Sequence, residues 1–399
     1  MTFLPLDGVR VIDVSSSLAG PYCTQILGAL GADVVKVEHP RRGDEARAWG
    51  PEFAAGGSVL FFAANASKRS LGVDLSTPRG RDVLLRLADR SDVLIQSLRP
   101  GTAERLGIGP DDVRGRNERL VYCSIGAFGR GGPLAHLPGY DPLMQAYAGV
   151  MSVTGEDGRP HVRVGASVVD LGTATWAALA IVAAVLDRER TGQGRVLDLS
   201  LYETALALMS YHVVDAVGTG AEPARHGSAF PLIVPYQAFA TADGELMVAA
   251  ANDRLFAALC AALDRPRLAE DDRFATNPLR VLNREPLVEV LAERFASQPS
   301  ETWIARLHEA GVPVAPIQTT GEAARHEQTA ALGILQGLDH RQAVALPISA
   351  DGDRLLHRST PPRLGEHTGE VLAEAGYSEE EIAELAADAI VSGGQAPER

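Results

Sequence analysis

Short runs of β-branched and other apolar residues alternate with helical stretches along the first half of the chain. One helical stretch is opened by Pro21 and continues through Leu30, and another runs from about Thr77 to Ala88. The predicted strands are Val9–Val14, Asp33–Glu38, Asp92–Gln96, Leu120–Ile125 and Arg195–Leu199. Alternating strands and helices predict an α/β fold with a mostly parallel sheet covered by helices.

The pattern changes in the second half of the chain. Residues 173–187 are nearly all apolar, and the longest apolar run, Trp176–Leu186, is too short to span a bilayer, so we expect a buried core helix there. Gly218–Pro235 is rich in Gly, Ala and Pro, as is typical of a linker. Beyond it, Tyr236–Ala251 predicts a β-hairpin around an Asp-Gly turn.

The overall charge argues against one class of partner. The 399 residues include 37 Lys and Arg but 51 Asp and Glu, for a net charge of −14. Nucleic-acid affinity comes mostly from clustered Lys and Arg, so we expect no nucleic-acid binding. A local basic pocket could still hold an anionic small molecule.

The cysteine content and the N-terminal residues favour a cytoplasmic location. Cys23, Cys123 and Cys260 are scattered, and an odd count suits a reducing cytosol better than a disulfide framework. The N-terminal residues have no basic region followed by an apolar stretch, so we expect no signal peptide, no membrane anchoring and a cytoplasmic location.

Several common catalytic motifs are absent from the sequence. The glycines after the first strand, Gly20, Gly28 and Gly31, do not have dinucleotide-binding spacing. Neither a P-loop nor a nucleophile-elbow motif occurs, and the histidines show no metal-ligand spacing. The helix N-terminus near Ala19–Pro21 could nevertheless hold a phosphate or carboxylate.

Two acidic positions and a set of basic residues stand out. Tyr140 and Asp141 follow a Pro-Gly turn, and Asp170 precedes Gly172 and the long apolar helix. Asp170 could be an ordinary helix-capping acid, or an ionised nucleophile held near a helix N-terminus. Gly172 would let a large ligand approach the backbone closely. The upstream basic residues are Arg41, Arg42, Lys68, Arg69, Arg99 and Arg105.

These stretches resemble the class III coenzyme A transferases, the CaiB/BaiF family that includes formyl-CoA transferase. The resemblance begins with LDGVRVIDVSSSLAGPYCTQILGALGADVVKVE and continues through NASKRSLGVDL, DVLIQSLRPGTAERLG, VGASVVDLG and RTGQGRVLDLSLYETAL. It ends with YQAFATADGEL, GVPVAPI and LGEHTGEVLAEAGYSEEEI, so it covers almost the whole chain.

The resemblance implies a fold and an assembly. It implies a large Rossmann-like CoA-binding domain over residues 1–225 and a smaller α+β domain over 226–330. It further implies that residues 331–399 form a linker and a C-terminal return to the large domain. In that family two ring-like chains interlace as a homodimer.

The resemblance also implies chemistry. The family's catalytic aspartate corresponds to Asp170, which attacks an acyl-CoA, passes through a mixed anhydride and an aspartyl-CoA thioester, and delivers CoA to a free carboxylic acid. CoA is a substrate here, and neither a metal nor a permanently bound cofactor is implied. The implied CoA contacts are Leu18, Ala19, His39, Val73, Asp74, Leu75, Ser76, Ser97, Leu98, Arg99, Arg105, Pro138, Gly139, Tyr140 and Asp141.

The sequence departs from family patterns at three positions. Leu18 replaces a glutamine that gates formyl-CoA transferase, and His39 replaces an arginine. The α-methylacyl-CoA racemases of the family carry a histidine where Tyr140 stands, so a two-base proton exchange lacks one base here. A racemase-like enzyme and a catalytically inactive acyl-CoA-binding protein remain the alternatives to a transferase.

Overall fold

The computed structural model describes residues 3–51, 53–54 and 57–392. The chain forms two compact units. The first is built from three segments: the residues up to Val150, residues 163–217, and the residues from Glu327 onward. The second is built from residues 151–162 and 218–326.

A six-stranded parallel sheet forms the centre of the first unit. Its strands in chain order are β1 (Arg10–Val14), β2 (Asp33–Glu38), β3 (Lys68–Gly72), β4 (Val93–Gln96), β5 (Val121–Gly126) and β6 (Val196–Ser200). Their order across the sheet is β3-β2-β1-β4-β5-β6. The predicted parallel α/β sheet is confirmed, although β3 was not among the predicted strands.

Helices that contact this sheet include Ala19–Ala29, Val168–Thr191 and Thr368–Glu374. Up to residue 219 the helices are Ala19–Ala29, the 3-10 turn Glu45–Ala48, Val59–Ala64, Pro78–Ala88, Thr102–Arg105, Pro110–Arg114, Asp141–Tyr147, Val150–Val153, Val168–Thr191, Leu201–Leu208 and Ser210–Thr219. The C-terminal segment adds Glu327–Leu332, Thr368–Glu374 and Glu379–Ala387. Short antiparallel pairs join Phe53–Ala54 to Gly57–Ser58, Leu335–Leu338 to Arg341–Val344, and Ser349–Ala350 to Asp353–Arg354.

The helix Val168–Thr191 is long, with 24 residues. By length and composition alone this helix could cross a membrane. Core helices of soluble proteins meet the same two criteria, so this is weak evidence for a membrane span. One face packs with the helix Ala19–Ala29 in a hydrophobic core that includes Ala177 and Ile181. The opposite face exposes Trp176, Leu179 and Leu186. The prediction of a buried core helix therefore holds for one face only.

A layer of buried charge spans the strands β1, β2 and β3. Asp13, Lys36 and Lys68 are all fully or almost fully buried. The Lys68 ammonium donates to Asp13 at 3.1 Å and to Asn65 at 2.8 Å. Burial alone would raise the pKa of Asp13, but Lys68 and Lys36 hold that pKa well below its usual range. Burial lowers the pKa of Lys68 to about 8 despite its carboxylate partner.

The second unit has its own small antiparallel sheet. Its strands Tyr236–Ala240, Glu245–Ala249 and Val314–Pro316 confirm the predicted hairpin and add a third strand. Its helices are Asp253–Ala262, the 3-10 turn Pro266–Glu270, Asn277–Leu282, Arg284–Phe295, Ser300–Glu309 and Thr320–Arg325. Phe295 stacks on Phe239 and meets Trp303 edge-on, so aromatic side chains make up much of this core.

Candidate active site

A cavity of about 490 Å³ opens at the carboxyl ends of the parallel strands. The strand order reverses between β1 and β4, and open parallel sheets bind ligands outside the strand ends at such a reversal. The lining residues include ten of the predicted site residues: Leu18, Ala19, Ser97, Leu98, Arg99, Pro138, Gly139, Tyr140, Asp141 and Asp170. The fold thus brings together side chains that are up to 152 positions apart (170 − 18) in the sequence.

The buried charge layer holds the loop after β1 against this cavity. Lys36 donates to the Ser15 carbonyl at 3.0 Å and pairs with Asp44 at 2.8 Å. Asp44 in turn accepts the backbone N–H of Ser17 at 3.1 Å. Ser17 has a φ of 70°, a left-handed conformation that non-glycine residues rarely adopt. Because its N–H is tied to a buried ion pair, this strained turn is held in place.

Asp141, and not Asp170, caps the helix Val168–Thr191. The sequence had suggested capping as one of two possible roles for Asp170. The Asp141 carboxylate accepts the backbone N–H of Val169 at 2.8 Å and of Asp170 at 3.2 Å, and Gln145 donates to it at 2.6 Å. These N–H groups belong to the first turn of the helix Val168–Thr191. In the described part of the chain, the Asp170 side chain itself has neither a hydrogen-bond nor an ion-pair partner. The carboxylate of Asp170 is therefore free for chemistry, while its backbone is fixed by Asp141.

The surroundings of Asp170 change its titration. Burial raises its pKa, the nearby Asp141 carboxylate raises it further, and together they bring it to about 7. A carboxylate with this pKa is a stronger base and nucleophile than an exposed one and is still largely ionised slightly above neutral pH.

We expect replacement of Asp141 by Asn to shift this titration. Asn keeps an oxygen that can accept the helix N–H groups, but it removes the like charge that helps to raise the Asp170 pKa. The Asp170 carboxyl of the wild type, followed by NMR chemical shift, should titrate with a midpoint near 7. In Asp141→Asn that midpoint should lie at lower pH, although above the ordinary aspartate value of 3.8, because burial remains. An unchanged midpoint would show that Asp141 acts only as a cap.

A second cavity of about 310 Å³ adjoins the first, and the two share Ser16 and Leu98. Its lining residues include the predicted contacts His39, Val73, Asp74, Leu75 and Ser76. It also includes Arg42. The fifteenth predicted CoA contact, Arg105, is exposed, donates to Thr102 at 2.9 Å and is not among the described lining residues of either cavity. Its neighbour Leu106 does line the second cavity.

The structure removes two of the six upstream basic residues from the candidate anion site. Lys68 is buried against Asp13, and Arg69 pairs with Asp33 at 2.6 Å and with Glu370 at 2.8 Å. Both side chains stabilise the fold. Sequence reasoning also missed Glu45 and Trp49, which line the first cavity. Neither residue carries a sequence signal beyond its position shortly after β2.

The sequence matches a known protein family over most of its length. The sequence model described as CoA-transferase family III matches residues 6–368. The chain belongs to this family.

Relatives extend over nearly the whole length of this family III chain. An acyl-CoA transferase of Fusarium pseudograminearum is 39% identical, covering 97% of this chain and 88% of the relative. A succinyl-CoA:glutarate CoA-transferase of Mus musculus is 36% identical, covering 97% of this chain and 90% of the relative. The crystal structure of a CaiB/BaiF family protein from Brucella suis superposes with a TM-score of 0.85 at 35% identity, covering 94% of this chain and 100% of that one.

Proposed function

We propose that this protein moves CoA from an acyl-CoA thioester to a free carboxylic acid, with Asp170 as the nucleophile. One observation carries the proposal. A carboxylate without a partner among the described residues, with a pKa of about 7, lines a cavity at the carboxyl ends of the sheet, and Asp141 caps the helix in its place. Family membership supports CoA transfer in general, and the Fusarium and mouse relatives are transferases.

The proposed steps conserve atoms and electrons without an added oxidant or reductant. The Asp170 carboxylate attacks the thioester carbonyl, and the C–S bond breaks to give an acyl-aspartyl anhydride and CoA thiolate. The thiolate attacks the aspartyl carbonyl, which releases the donor acid and leaves an aspartyl-CoA thioester. The acceptor carboxylate attacks that thioester to give a second anhydride and CoA thiolate. The thiolate then attacks the acceptor's carbonyl in this anhydride, which gives the new acyl-CoA and releases Asp170 as a free carboxylate. Water must be excluded throughout, because it would hydrolyse each intermediate.

The two adjoining cavities support a placement of CoA along the strand ends. We propose that the second cavity, with His39 and Arg42, holds the nucleotide end and the first cavity holds the thioester near Asp170. Arg99 lines the first cavity and has the fork geometry that binds phosphate. Arg105 remains a proposed phosphate contact from the rim.

The assembly and the location are also proposals. We propose a Rossmann-like first domain on the strand order β3-β2-β1-β4-β5-β6 and a cytoplasmic location. The exposed Trp176, Leu179 and Leu186 are the kind of contiguous apolar face that a subunit interface covers. This supports the proposed interlaced homodimer.

A covalent-capture experiment tests the proposed reaction. With acyl-CoA and no acceptor acid, the wild-type protein should accumulate an acyl or CoA species on Asp170. Hydroxylamine should convert it to a hydroxamate, which peptide mass mapping should place on Asp170. Placement on another acid would give that residue the nucleophilic role. Absence of any adduct would favour the inactive acyl-CoA-binding alternative, and rapid exchange of α-deuterium in a 2-methylacyl-CoA would favour the racemase.

A further inference from the structure

One charged group in the first cavity has no role in the proposed reaction. The charged residues that line this cavity are Glu45, Arg99, Asp141 and Asp170. Asp141 is buried and already accepts three hydrogen bonds, Asp170 is the proposed nucleophile, and Arg99 is a proposed CoA contact. This leaves the carboxylate of Glu45.

Glu45 lines the same cavity as the proposed nucleophile Asp170. It begins the 3-10 turn Glu45–Ala48, is exposed within its own unit, and shares the cavity wall with Trp49 and Leu60. Its Oε1 accepts the Ser17 hydroxyl at 2.8 Å, and the Tyr140 hydroxyl lies 3.5 Å away, at the outer limit of a hydrogen bond. An ionised carboxylate has about four acceptor positions. Glu45 can therefore accept further hydrogen bonds from a ligand in the cavity.

We propose that Glu45 is a specificity-determining residue that favours acyl groups carrying a hydroxyl or amino donor and disfavours those carrying a second carboxylate. The inference rests on the proposed function, since it assigns the acyl group to this cavity. A donor on the acyl chain would satisfy the free acceptor positions of Glu45. A second carboxylate would add a negative charge to a wall that already holds three carboxylates and a single guanidinium among its described lining residues.

This selectivity would separate the protein from a named relative. The mouse relative is named for succinyl-CoA and glutarate, both of which carry a second carboxylate. Both Arg99 and Glu45 are exposed, but the Arg99 guanidinium has no hydrogen-bond or ion-pair partner among the described residues, whereas the Glu45 carboxylate is held by the Ser17 hydroxyl at 2.8 Å. The charge that a ligand meets beside Trp49 and Leu60 is therefore negative.

Binding to an unreactive variant tests the inference apart from catalysis. In an Asp170→Asn background, the dissociation constants of butyryl-CoA, 3-hydroxybutyryl-CoA and succinyl-CoA can be measured by calorimetry, with and without Glu45→Gln. Gln keeps an oxygen for Ser17 but lacks the charge. We expect succinyl-CoA to bind about tenfold more weakly than 3-hydroxybutyryl-CoA when Glu45 is present, and Glu45→Gln to remove most of that difference. Butyryl-CoA, which has neither group, should change by less than about threefold.

A control variant makes the outcomes separable. Glu309→Gln, at an exposed glutamate on the helix Ser300–Glu309, should leave all three affinities unchanged. The inference is overturned if succinyl-CoA binds more tightly than 3-hydroxybutyryl-CoA when Glu45 is present. It is also overturned if the ratio of their two dissociation constants is the same with and without Glu45→Gln. Neither result depends on turnover, so a failure of the proposed reaction is detected separately by the absence of an Asp170 adduct.

Discussion

Replacing Asp170 with Asn should lower CoA transfer by about 10⁴-fold or more, since the amide cannot form the acyl anhydride. Asn has nearly the same shape as Asp and preserves the backbone N–H that Asp141 accepts at 3.2 Å. The fold and CoA affinity should therefore survive. A capping role alone would predict a loss of stability of about 1 kcal/mol and little loss of activity.

Asp187→Asn is the matched control. Asp187 lies on the same helix, near its other end, where it pairs with Arg190 and Arg195. The same chemical change there should leave transfer near the wild-type rate. An active Asp170→Asn enzyme, assayed with a panel of acyl-CoA donors and acids by mass spectrometry, would show that the nucleophile is another residue.

Asp170→Asn should also stabilise the protein above neutral pH. The folded pKa of Asp170, about 7, lies above the ordinary aspartate value of 3.8, so ionisation costs more in the folded state than in the unfolded state. This destabilisation begins as the pH rises through 3.8 and is complete above about 7. Because Asp170 is only half-buried, we expect Asp170→Asn to gain about 1–2 kcal/mol at pH 8 and nothing below pH 4. A site residue whose removal stabilises the fold is retained for function.

The sequence predicted the elements better than their polar contacts. The sequence predicts β1, β2, β4, β5 and β6, because strands of a covered parallel sheet consist largely of apolar residues. The strand β3 was not recognised, because it begins with Lys68 and Arg69. Those two cations are tolerated in the sheet only because carboxylates neutralise them: Asp33 on the adjacent strand β2 pairs with Arg69, and Asp13 on β1, one strand further, pairs with Lys68. Periodicity does not reveal such partners.

In the candidate site, too, the sequence predicted which segments meet but not the polar contacts between them. Family resemblance pointed to the loops at residues 18–19, 97–99 and 138–141 and to Asp170, and the fold places all of them around one cavity. Which of Asp141 and Asp170 caps the long helix was not predictable, since both are aspartates that precede the apolar run Trp176–Leu186. The answer depends on the packing of one helix start against another. Glu45 faces the cavity for a similar reason, because its neighbour Asp44 is held inward by Lys36.

Removing the carboxylate of Asp13 should cost about 3–5 kcal/mol of folding free energy, the second large effect that we expect. Asp13 accepts hydrogen bonds from Thr24 at 2.6 Å and from the Ser15 backbone at 3.0 Å, in addition to its pair with Lys68. In Asp13→Ala the buried Lys68 ammonium keeps only neutral partners. Its pKa, already lowered to about 8, should fall further. The loop after β1 should loosen as well, which would weaken CoA binding.

Chemical denaturation at a fixed protein concentration measures this effect, with Asp7→Ala, at an exposed aspartate, as the control that should change by less than about 0.5 kcal/mol. The folded pKa of Asp13 lies below the ordinary value of 3.8, so its contribution is present above that pH and is lost as the pH falls towards the folded value. The gap between wild type and Asp13→Ala should therefore be widest near neutral pH and narrow in acid. Adding Lys68→Met to Asp13→Ala should recover much of the loss, because it removes the unpaired charge. The loss of unfolding free energy in the double variant could instead equal the sum of the losses in the two single variants. That result would mean that the pair contributes through packing and that the buried charges of β1 and β3 do not depend on each other.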